Sequence, residues 1–249
     1  MRKIAALILA GTRAEGDGLA EAHGVSHKSL IEIGDQPMLT RVVAALRAAG
    51  IKRIVVSTND ARVRHLAIGQ GCEAMAAEPG PSKSVAAAIE IIGTPTIITT
   101  SDHALLDADM VHDFLDSAPE DADVAILMAH RDRVQSAMPG SARTYLSFAD
   151  GDWSGCNLFL LRTERAQAAV GLWQMVEADR KQPWRIAAKL GLSTLVMMLF
   201  KRLDLQEAIS RLGLRAGIKA AMVPANNGLA AVDVDKESDL KAVRQKIET

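Results

Sequence analysis

The sequence predicts an α/β fold in which helices flank a mostly parallel β-sheet. Two patterns support this fold: six short runs of β-forming residues recur along the chain, and helical patterns separate the early ones. Strands that alternate with helices are typical of a parallel sheet covered on both faces. The chain has 249 residues, 49% of them hydrophobic, which suffices for one large core. We therefore expect a single domain over residues 1–249 with a helical insertion in its C-terminal half.

The individual elements follow from local patterns. The six predicted strands are residues 4–10, 53–58, 96–101, 123–129, 157–162 and 230–235. Apolar residues at helical spacing predict helices over residues 40–49, 82–92 and 107–115. The first of these ends at Gly50, a residue type favoured just after a helix. A longer helical stretch near residues 163–217 is the expected insertion.

The charge balance excludes several classes of protein. Lys and Arg total 29 and Asp and Glu total 30, a formal net charge of −1, whereas a general nucleic-acid binder needs a basic surface. Only 3% of the residues are aromatic, which argues against a stacking platform for single strands. We therefore expect no nucleic-acid partner.

The N-terminal pattern and the cysteines predict a cytoplasmic protein. A basic start and an apolar run are similar to a signal peptide, but the run leads into a polar glycine-rich loop without a clear cleavage site. The apolar run at residues 190–200 is shorter than the roughly 20 residues that span a bilayer. Cys72 and Cys156 are too few for a disulfide framework. We expect reduced thiols, and we expect Cys156 to pack in the core rather than act as a nucleophile.

A glycine-rich loop follows the first predicted strand. Gly11, Gly16 and Gly18 give a backbone that can turn its N–H groups toward an anion, and Arg13 and Lys28 add positive charge. The loop lacks the Gly-Lys-Ser/Thr of a Walker A motif and the GxGxxG of a dinucleotide site. Taken alone, it also fits a solvated surface loop.

Six segments together carry a family resemblance. They are residues 10–13 (Ala-Gly-Thr-Arg), 27–30 (His-Lys-Ser-Leu), 34–39 (Gly-Asp-Gln-Pro-Met-Leu), 80–85 (Gly-Pro-Ser-Lys-Ser-Val), 99–106 (Thr-Thr-Ser-Asp-His-Ala-Leu-Leu) and 232–240 (Val-Asp-Val-Asp-Lys-Glu-Ser-Asp-Leu). In this order they resemble the motifs of the MobA-like NTP transferases, which belong to the sugar-nucleotidyltransferase superfamily. Several motifs in the expected order are more specific than any one of them.

The resemblance implies a Rossmann-like fold of the GT-A type and a nucleotidyltransferase activity. The enzyme would move NMP from an NTP, with CTP or GTP favoured, to a small phosphorylated acceptor and release pyrophosphate, with Mg²⁺ or Mn²⁺ as cofactor. The chain up to about residue 130 would bind the nucleotide, and the rest would bind the acceptor. The residues implied to contact the nucleotide are Leu9, Ala10, Gly11, Thr12, Arg13, Lys28, Ser82, Ser84 and Asp102. Those implied near the acceptor are Gly155 and Asn157.

Three of these residues, Arg13, Lys28 and Asp102, are the expected catalytic groups. Nucleotidyl transfer brings two anions together, and the acceptor phosphate is already a nucleophile. Positioning and electrostatic stabilisation should therefore carry most of the catalysis. Lys28 supplies a compact positive charge for phosphate, and Asp102 follows a predicted strand at the sheet edge where ligands bind.

Carboxylates at two places in the chain are expected to hold Mg²⁺, which prefers oxygen ligands. Asp102 is the first. Asp233 and Asp235 share one face of a predicted strand, and the family motif favours Asp235, with Asp233 as the alternative. Asp102 and Asp235 also fit helix N-caps. The six histidines lack metal-ligand spacing, so no zinc site is expected.

Departures from the family pattern keep two other functions open. Thr12 stands where the family has a second glycine, His27 stands where it has a proline, and extra acidic residues enter the loop. A family member that only senses a nucleotide is one alternative. A GT-A glycosyltransferase that uses the Asp-Val-Asp at residues 233–235 is the other.

The apolar stretch at residues 184–202 is the part least typical of the family. It fits a core helix, and it also fits an apolar face for a lipid-linked acceptor, a partner chain or a membrane surface. The sequence does not choose between these interpretations, and it predicts no oligomeric state.

Overall fold

The computed structural model describes residues 3–12, 16–178 and 203–248. Its main sheet is built from β1 (Ala5–Leu9), β4 (Arg53–Ser57), β5 (Glu73–Met75), β6 (Thr96–Thr100), β7 (Val124–His130), β8 (Leu146–Phe148), β9 (Gly151–Leu161) and β10 (Ala220–Pro224). The order across the sheet is β10-β7-β9-β6-β1-β4-β5, and β8 pairs with β9. A separate small hairpin joins β2 (Glu32–Ile33) to β3 (Gln36–Pro37).

Most neighbouring strands of the main sheet are parallel, which confirms the predicted α/β class. β1 lies parallel to β4 and β6, β4 to β5, and β7 to β10. β9 runs antiparallel to both β6 and β7. Because of this reversal, the start of β9 lies at the same edge of the sheet as the carboxyl ends of β6 and β7.

Helices cover both faces of the sheet. They are α1 (Gly18–Ala22), α2 (Met38–Ala48), α3 (Ala61–Gly69), α4 (Pro81–Ile92), α5 (Ala108–Ser117), α6 (Arg131–Ala137), α7 (Gln167–Ala178), α8 (Leu205–Arg215) and α9 (Glu237–Glu248). One core contains Leu46 of α2 and Phe114 of α5. A second core contains Val85 of α4 and Val170 of α7. The sheet is therefore a central layer between two layers of helices.

Adjacent residues of β1 show how one strand serves both cores. Ile8 packs in the core with α2 and α5, and Leu7 packs in the core with α4 and α7. Both side chains are fully buried, because successive side chains of a strand point to opposite faces. A strand buried on both faces is apolar throughout, and this explains the continuous apolar run near the N-terminus.

The predicted strand at residues 230–235 is wrong. Gly228–Ala231 form a short 3₁₀ helix that begins where the Asn227 side chain accepts a hydrogen bond from the Leu229 amide at 3.0 Å. The following residues join none of the ladders that the described strands form; instead the Val234 amide donates to the Asp102 carbonyl oxygen at 3.1 Å. The two aspartates of this segment therefore lie beside the end of β6 without alternating along a strand.

The predicted helical insertion is only partly within the described chain. α7 and α8 lie inside residues 163–217 and are helical as expected. The apolar stretch at residues 184–202 lies outside the described residues. Among the helices that the structure describes, none combines the length and apolar character that crossing a membrane requires.

Candidate active site

A lysine and two carboxylates meet at the carboxyl end of β6. The Nζ atom of Lys28 lies 2.6 Å from Oδ2 of Asp102 and 2.6 Å from Oδ1 of Asp235. It also donates to the Val234 carbonyl oxygen at 3.1 Å. Three distant parts of the sequence therefore converge on one ammonium group.

The sheet itself places Asp102 at this point. Beyond the paired residues of β1 and β6, the Ser101 amide donates to the Leu9 carbonyl oxygen at 3.0 Å. This bond continues the ladder to the residue before Asp102, at the edge where open α/β sheets bind ligands. The N-cap interpretation of Asp102 does not apply to α5, because the Asp107 side chain caps that helix by accepting from the Met110 amide at 2.7 Å.

The two carboxylates stabilise the positive charge of Lys28. Burial alone would lower the pKa of Lys28, but the Asp102 and Asp235 carboxylates outweigh it and raise that pKa above its ordinary value. Oδ1 of Asp102 is buried and accepts no hydrogen bond within the described chain. Next to it, burial lowers the pKa of His103 to about 4, so this imidazole adds no charge at neutral pH.

Asp233 lies in a different environment from Asp235. Its carboxylate forms an ion pair with the Arg143 guanidinium and accepts from Nδ2 of Asn157 at 2.6 Å. Burial and the nearby Asp102 charge raise the pKa of Asp233, and Arg143 opposes that shift. Asp233 thus holds two neighbouring side chains in place, whereas Asp235 contacts the lysine.

Asn157 reaches this cluster through an irregularity in β9. The pairing of β7 with β9 shifts register between Ile126 and Met128, opposite this part of the strand. The backbone of Asn157 has φ = 49°, a left-handed conformation that is uncommon outside glycine. Such bulges redirect a side chain, and here the redirected side chain contacts Asp233. Gly155, by comparison, pairs with Met128 in the ladder.

The glycine-rich loop lies at the same edge but is described only in part. Gly11 and Thr12 are exposed and line the cleft, and Leu9 lines it as well. Ala10 is instead packed in the core. Arg13 lies outside the described residues, so its predicted role stays a prediction.

His27, which replaces the usual proline, is buried next to the loop. Its Nδ1 atom accepts a hydrogen bond from the Ser29 amide at 3.1 Å. Burial lowers the pKa of His27 despite the nearby Asp17 and Asp60 carboxylates. The neutral ring therefore caps the turn that presents Lys28.

Ser82 and Ser84 line the cleft at the start of α4, and both are already hydrogen-bonded. Oε2 of Glu177, on α7, accepts from the Ser82 hydroxyl and from the Ser82 amide, the latter at 3.1 Å. The Ser84 hydroxyl accepts from the Glu78 amide at 2.9 Å. Glu177 was not predicted from the sequence, and no motif there singled it out.

These groups share one large cleft. Its volume is about 1780 Å³, whereas a pocket for a single small molecule has roughly 300–1,000 Å³. The space therefore suffices for two substrates side by side. Among the residues that line it are Gly11, Thr12, Lys28, Ser82, Ser84, Asp102, Asn157, Trp173, Glu177, Asp233 and Asp235.

Two other expectations concern thiols and metals. Cys156 is buried, and burial raises the pKa of its thiol, which agrees with a packing role. Within residues 3–12, 16–178 and 203–248, no group of three or more His, Cys, Asp or Glu side chains is arranged to hold a metal ion.

Arg143 is the second contributor that sequence reasoning missed. It lies in a polar segment without a recognisable motif, and its partner Asp233 is far away along the chain. Its side chain is only 12% exposed. A contact between two such distant positions exists only after folding.

The sequence matches a known domain family over most of its length. The model of the MobA-like NTP transferase domain matches residues 6–212. No curated protein is recognisably similar to this chain in sequence.

Solved structures are similar over nearly the whole chain. A hypothetical transferase from Thermus thermophilus has a TM-score of 0.81 and 28% identity, covering 96% of this chain and 100% of its own. A CMP:2-keto-3-deoxy-manno-octonic acid synthetase complexed with CTP has a TM-score of 0.61 and 16% identity, covering 99% and 98%. A nucleotidyl transferase from Methanothermobacter thermautotrophicus has a TM-score of 0.59 and 15% identity, covering 98% and 97%.

Proposed function

Because the chain belongs to the MobA-like NTP transferase family, we propose that it transfers NMP from an NTP to a small phosphorylated acceptor and releases pyrophosphate. The observation that carries this proposal is the contact of Lys28 with Asp102 and Asp235 at the carboxyl end of β6. Lys28 and the adjacent glycine-rich loop can bind phosphate oxygens, and the two carboxylates can bind a metal ion.

The chemistry needs little more than positioning and charge. An oxygen of the acceptor phosphate attacks the α-phosphorus of the NTP, the bond between the α-phosphate and the pyrophosphate breaks, and pyrophosphate leaves. No strong general base is required, because the acceptor oxygen already carries negative charge. Lys28 offsets the charge that develops on the phosphates, as preorganised cations do in phosphoryl transfer. The exposed backbone of Gly11 and Thr12 offers amide donors to the same phosphates.

Asp102 and Asp235 would hold Mg²⁺, or Mn²⁺ in its place. Both carboxylates contact the Lys28 ammonium, and Oδ1 of Asp102 is buried without a hydrogen-bond partner among the described residues. Mg²⁺ is commonly bound by one or two carboxylates together with substrate phosphates and water, so the donor set fits. When bound, the ion would neutralise charge on the triphosphate, and the Lys28 ammonium would supply further positive charge to the same phosphates.

The acceptor would lie on the Asn157 side of the cleft. The Asn157 side chain is held by Asp233, and its amide keeps hydrogen-bonding capacity beyond that bond. Gly155 lies on the same strand and stays part of this proposal. The acceptor itself is identified only as a small phosphorylated molecule.

Pyrophosphate release from each of the four NTPs, with Mg²⁺ and a panel of phosphorylated acceptors, tests the proposal. We expect release with one NTP only when both Mg²⁺ and an acceptor are present. Asp102→Asn should lower the rate by roughly a hundredfold or more. Asp109→Asn, which removes the same charge from an exposed position on α5, should leave the rate unchanged.

Other outcomes would contradict the proposal. Nucleotide binding without turnover across the whole panel would indicate a sensor. Transfer of sugar from a nucleotide-sugar would indicate a glycosyltransferase. Full activity in Asp102→Asn would refute the role of this carboxylate.

A further inference from the structure

Arg143 holds the first residue of the segment 233–235 by two contacts. Its Nη1 atom donates to the Asp233 carbonyl oxygen at 3.2 Å, and its Nη2 atom forms the ion pair with Oδ1 of the same residue. The planar fork of a guanidinium can make two such contacts at once, whereas a lysine ammonium is a single point charge. One side chain therefore fixes both the backbone and the carboxylate of Asp233.

Protein donors occupy both oxygens of the Asp233 carboxylate. Oδ1 contacts Arg143, and Oδ2 accepts from Nδ2 of Asn157 at 2.6 Å. Asp102 differs, because its buried Oδ1 atom has no hydrogen-bond partner among the described residues. Asp233 nevertheless lines the cleft, so its location alone does not keep it from a metal ion bound there.

Three carboxylates influence one another at this edge of the sheet. The charges of Asp102 and Asp235 act on Asp233 and raise its pKa together with burial, while Arg143 opposes that shift. Lys28 contacts Asp102 and Asp235, and Arg143 contacts Asp233. These two cations thus divide the three carboxylates between them.

We propose that Arg143 is a positioning residue that keeps the Asp233 carboxylate from the metal ion. Asp102 and Asp235 then remain the metal ligands, and the inference rests on the proposed function in this respect. In the arrangement of the described residues, the three carboxylates do not form a three-ligand metal group, and the ion pair with Arg143 accounts for this. Arg143 is not among the described residues that line the cleft, so it acts through Asp233 rather than on a substrate.

The same ion pair keeps Asn157 in place. A carboxylate that turned to a metal ion would give up one or both of its present partners. Asn157 has its backbone in the left-handed region, with φ = 49°, and its side chain donates to Asp233. By holding Asp233, Arg143 therefore separates the metal ligands from the residue on the acceptor side of the cleft.

Titration of the full chain with Mn²⁺ in the absence of nucleotide tests this role, with the electron paramagnetic resonance signal of the free ion as the readout. We expect Arg143→Gln to bind Mn²⁺ roughly tenfold more tightly than the wild type, because affinity rises with the number and charge of the carboxylate ligands. A variant whose fold is damaged would instead bind Mn²⁺ more weakly. The direction of the change therefore distinguishes positioning from a merely structural role.

Two further variants show where the gain in affinity comes from. Arg162→Gln removes the same charge from a half-buried arginine that follows the far end of β9 and donates to the Ala118 carbonyl oxygen at 3.1 Å. This control should keep the Mn²⁺ affinity of the wild type. The double variant Arg143→Gln/Asp233→Asn removes both partners of the ion pair, leaves neither charge unpaired, and should return the Mn²⁺ affinity to that of the wild type.

Crystals of Arg143→Gln grown with Mn²⁺ distinguish a new ligand from a change in charge alone. Anomalous scattering locates the ion, and we expect it in contact with Asp233. An ion held by Asp102 and Asp235 without Asp233 would overturn the proposal. If Arg143→Gln does not fold, Arg143→Lys replaces it in both experiments, because it keeps the charge but loses the fork; tighter Mn²⁺ binding is again expected.

The outcomes separate this inference from the function on which it rests. Unchanged or weaker Mn²⁺ binding by the folded Arg143 variant would overturn the role of Arg143, and so would the absence of Mn²⁺ binding in both wild type and variant. Pyrophosphate release by the wild type would still support the proposed function in those cases. Tighter Mn²⁺ binding by the variant, with no pyrophosphate released from any NTP by the wild type, would overturn the function and leave the role of Arg143 intact.

Discussion

Lys28 and Asp102 form a 2.6 Å ion pair in which the two side chains are only 19% and 12% exposed. Both charges are largely shielded from water. Removing either side chain would leave the other charge unpaired, which lowers the free energy of unfolding. The same geometry presents the ammonium to the cleft. Stability and function are therefore linked at this pair.

The first prediction concerns the coupling of this pair. Urea unfolding of the wild type, Lys28→Gln, Asp102→Asn and the double variant should give a coupling free energy of about 1–3 kcal/mol, as expected for contacting charges with limited exposure. The surface pair Lys219–Asp121, with side chains 65% and 71% exposed, is the matched control and should give a clearly smaller coupling free energy, because water screens exposed charges. Equal coupling free energies at both pairs would contradict the claim that burial strengthens the Lys28–Asp102 interaction.

The second prediction separates the two aspartates before α9. Asp235→Asn should raise the Mg²⁺ concentration for half-maximal activity by more than about tenfold, because the proposed metal loses one of its two carboxylates. Asp233→Asn should instead lower the free energy of unfolding, by about 3 kcal/mol, because it removes the buried partner of Arg143. Mg²⁺ titration of activity and urea unfolding measure the two effects. A raised Mg²⁺ requirement in Asp233→Asn but not in Asp235→Asn would instead identify Asp233 as the metal ligand.

The third prediction concerns pH and His27. Its pKa is lowered from the usual 6.5 in the folded state, so below pH 6.5 the unfolded chain takes up a proton that the folded chain does not. The stability that the neutral ring contributes is fully present above pH 6.5 and is lost as the pH falls through the lowered pKa. His27→Asn, whose side chain still offers an acceptor to the Ser29 amide, should flatten this part of the stability profile. Urea unfolding at several pH values below 6.5 measures it, and identical slopes in both proteins would contradict the prediction.

The fourth prediction compares the glycines at the two ends of α4. Gly80→Ala should destabilise the chain by about 0.5–1.5 kcal/mol more than Gly93→Ala, the scale of a hydrogen bond to Ser82 that a displaced Glu177 carboxylate would lose. Both glycines have positive φ, but a Cβ at Gly80 would meet Glu177, whereas a Cβ at Gly93 would have no atom of another described segment within 4 Å. Thermal unfolding of the two variants measures the difference. Equal losses would show that the approach of Glu177 contributes nothing to stability.

The sequence by itself determined the class of fold and singled out candidate site residues that the fold brings together. The apolar strand runs with glycine and proline between them specify a parallel α/β sheet, because periodicity and turn residues are local properties. Lys28 and Asp102 were each predicted as site residues from the motifs that carry the family resemblance, and Asp102 also from its place after a predicted strand. Asp235 was preferred over Asp233 by the same motif logic, and the contact with Lys28 supports that preference.

Tertiary structure decided everything that depends on contacts between distant segments. Residues 230–235 were predicted as a strand from their apolar residues, but the Val234 amide donates to the Asp102 carbonyl oxygen beyond the end of β6, and none of the described strands pairs with them. The roles of Arg143 and Glu177 arise from partners far away in the chain, Asp233 and Ser82. Local propensity contains no information about such pairs, because their free energy comes from burial and electrostatics that exist only when the sheet and its helices have assembled.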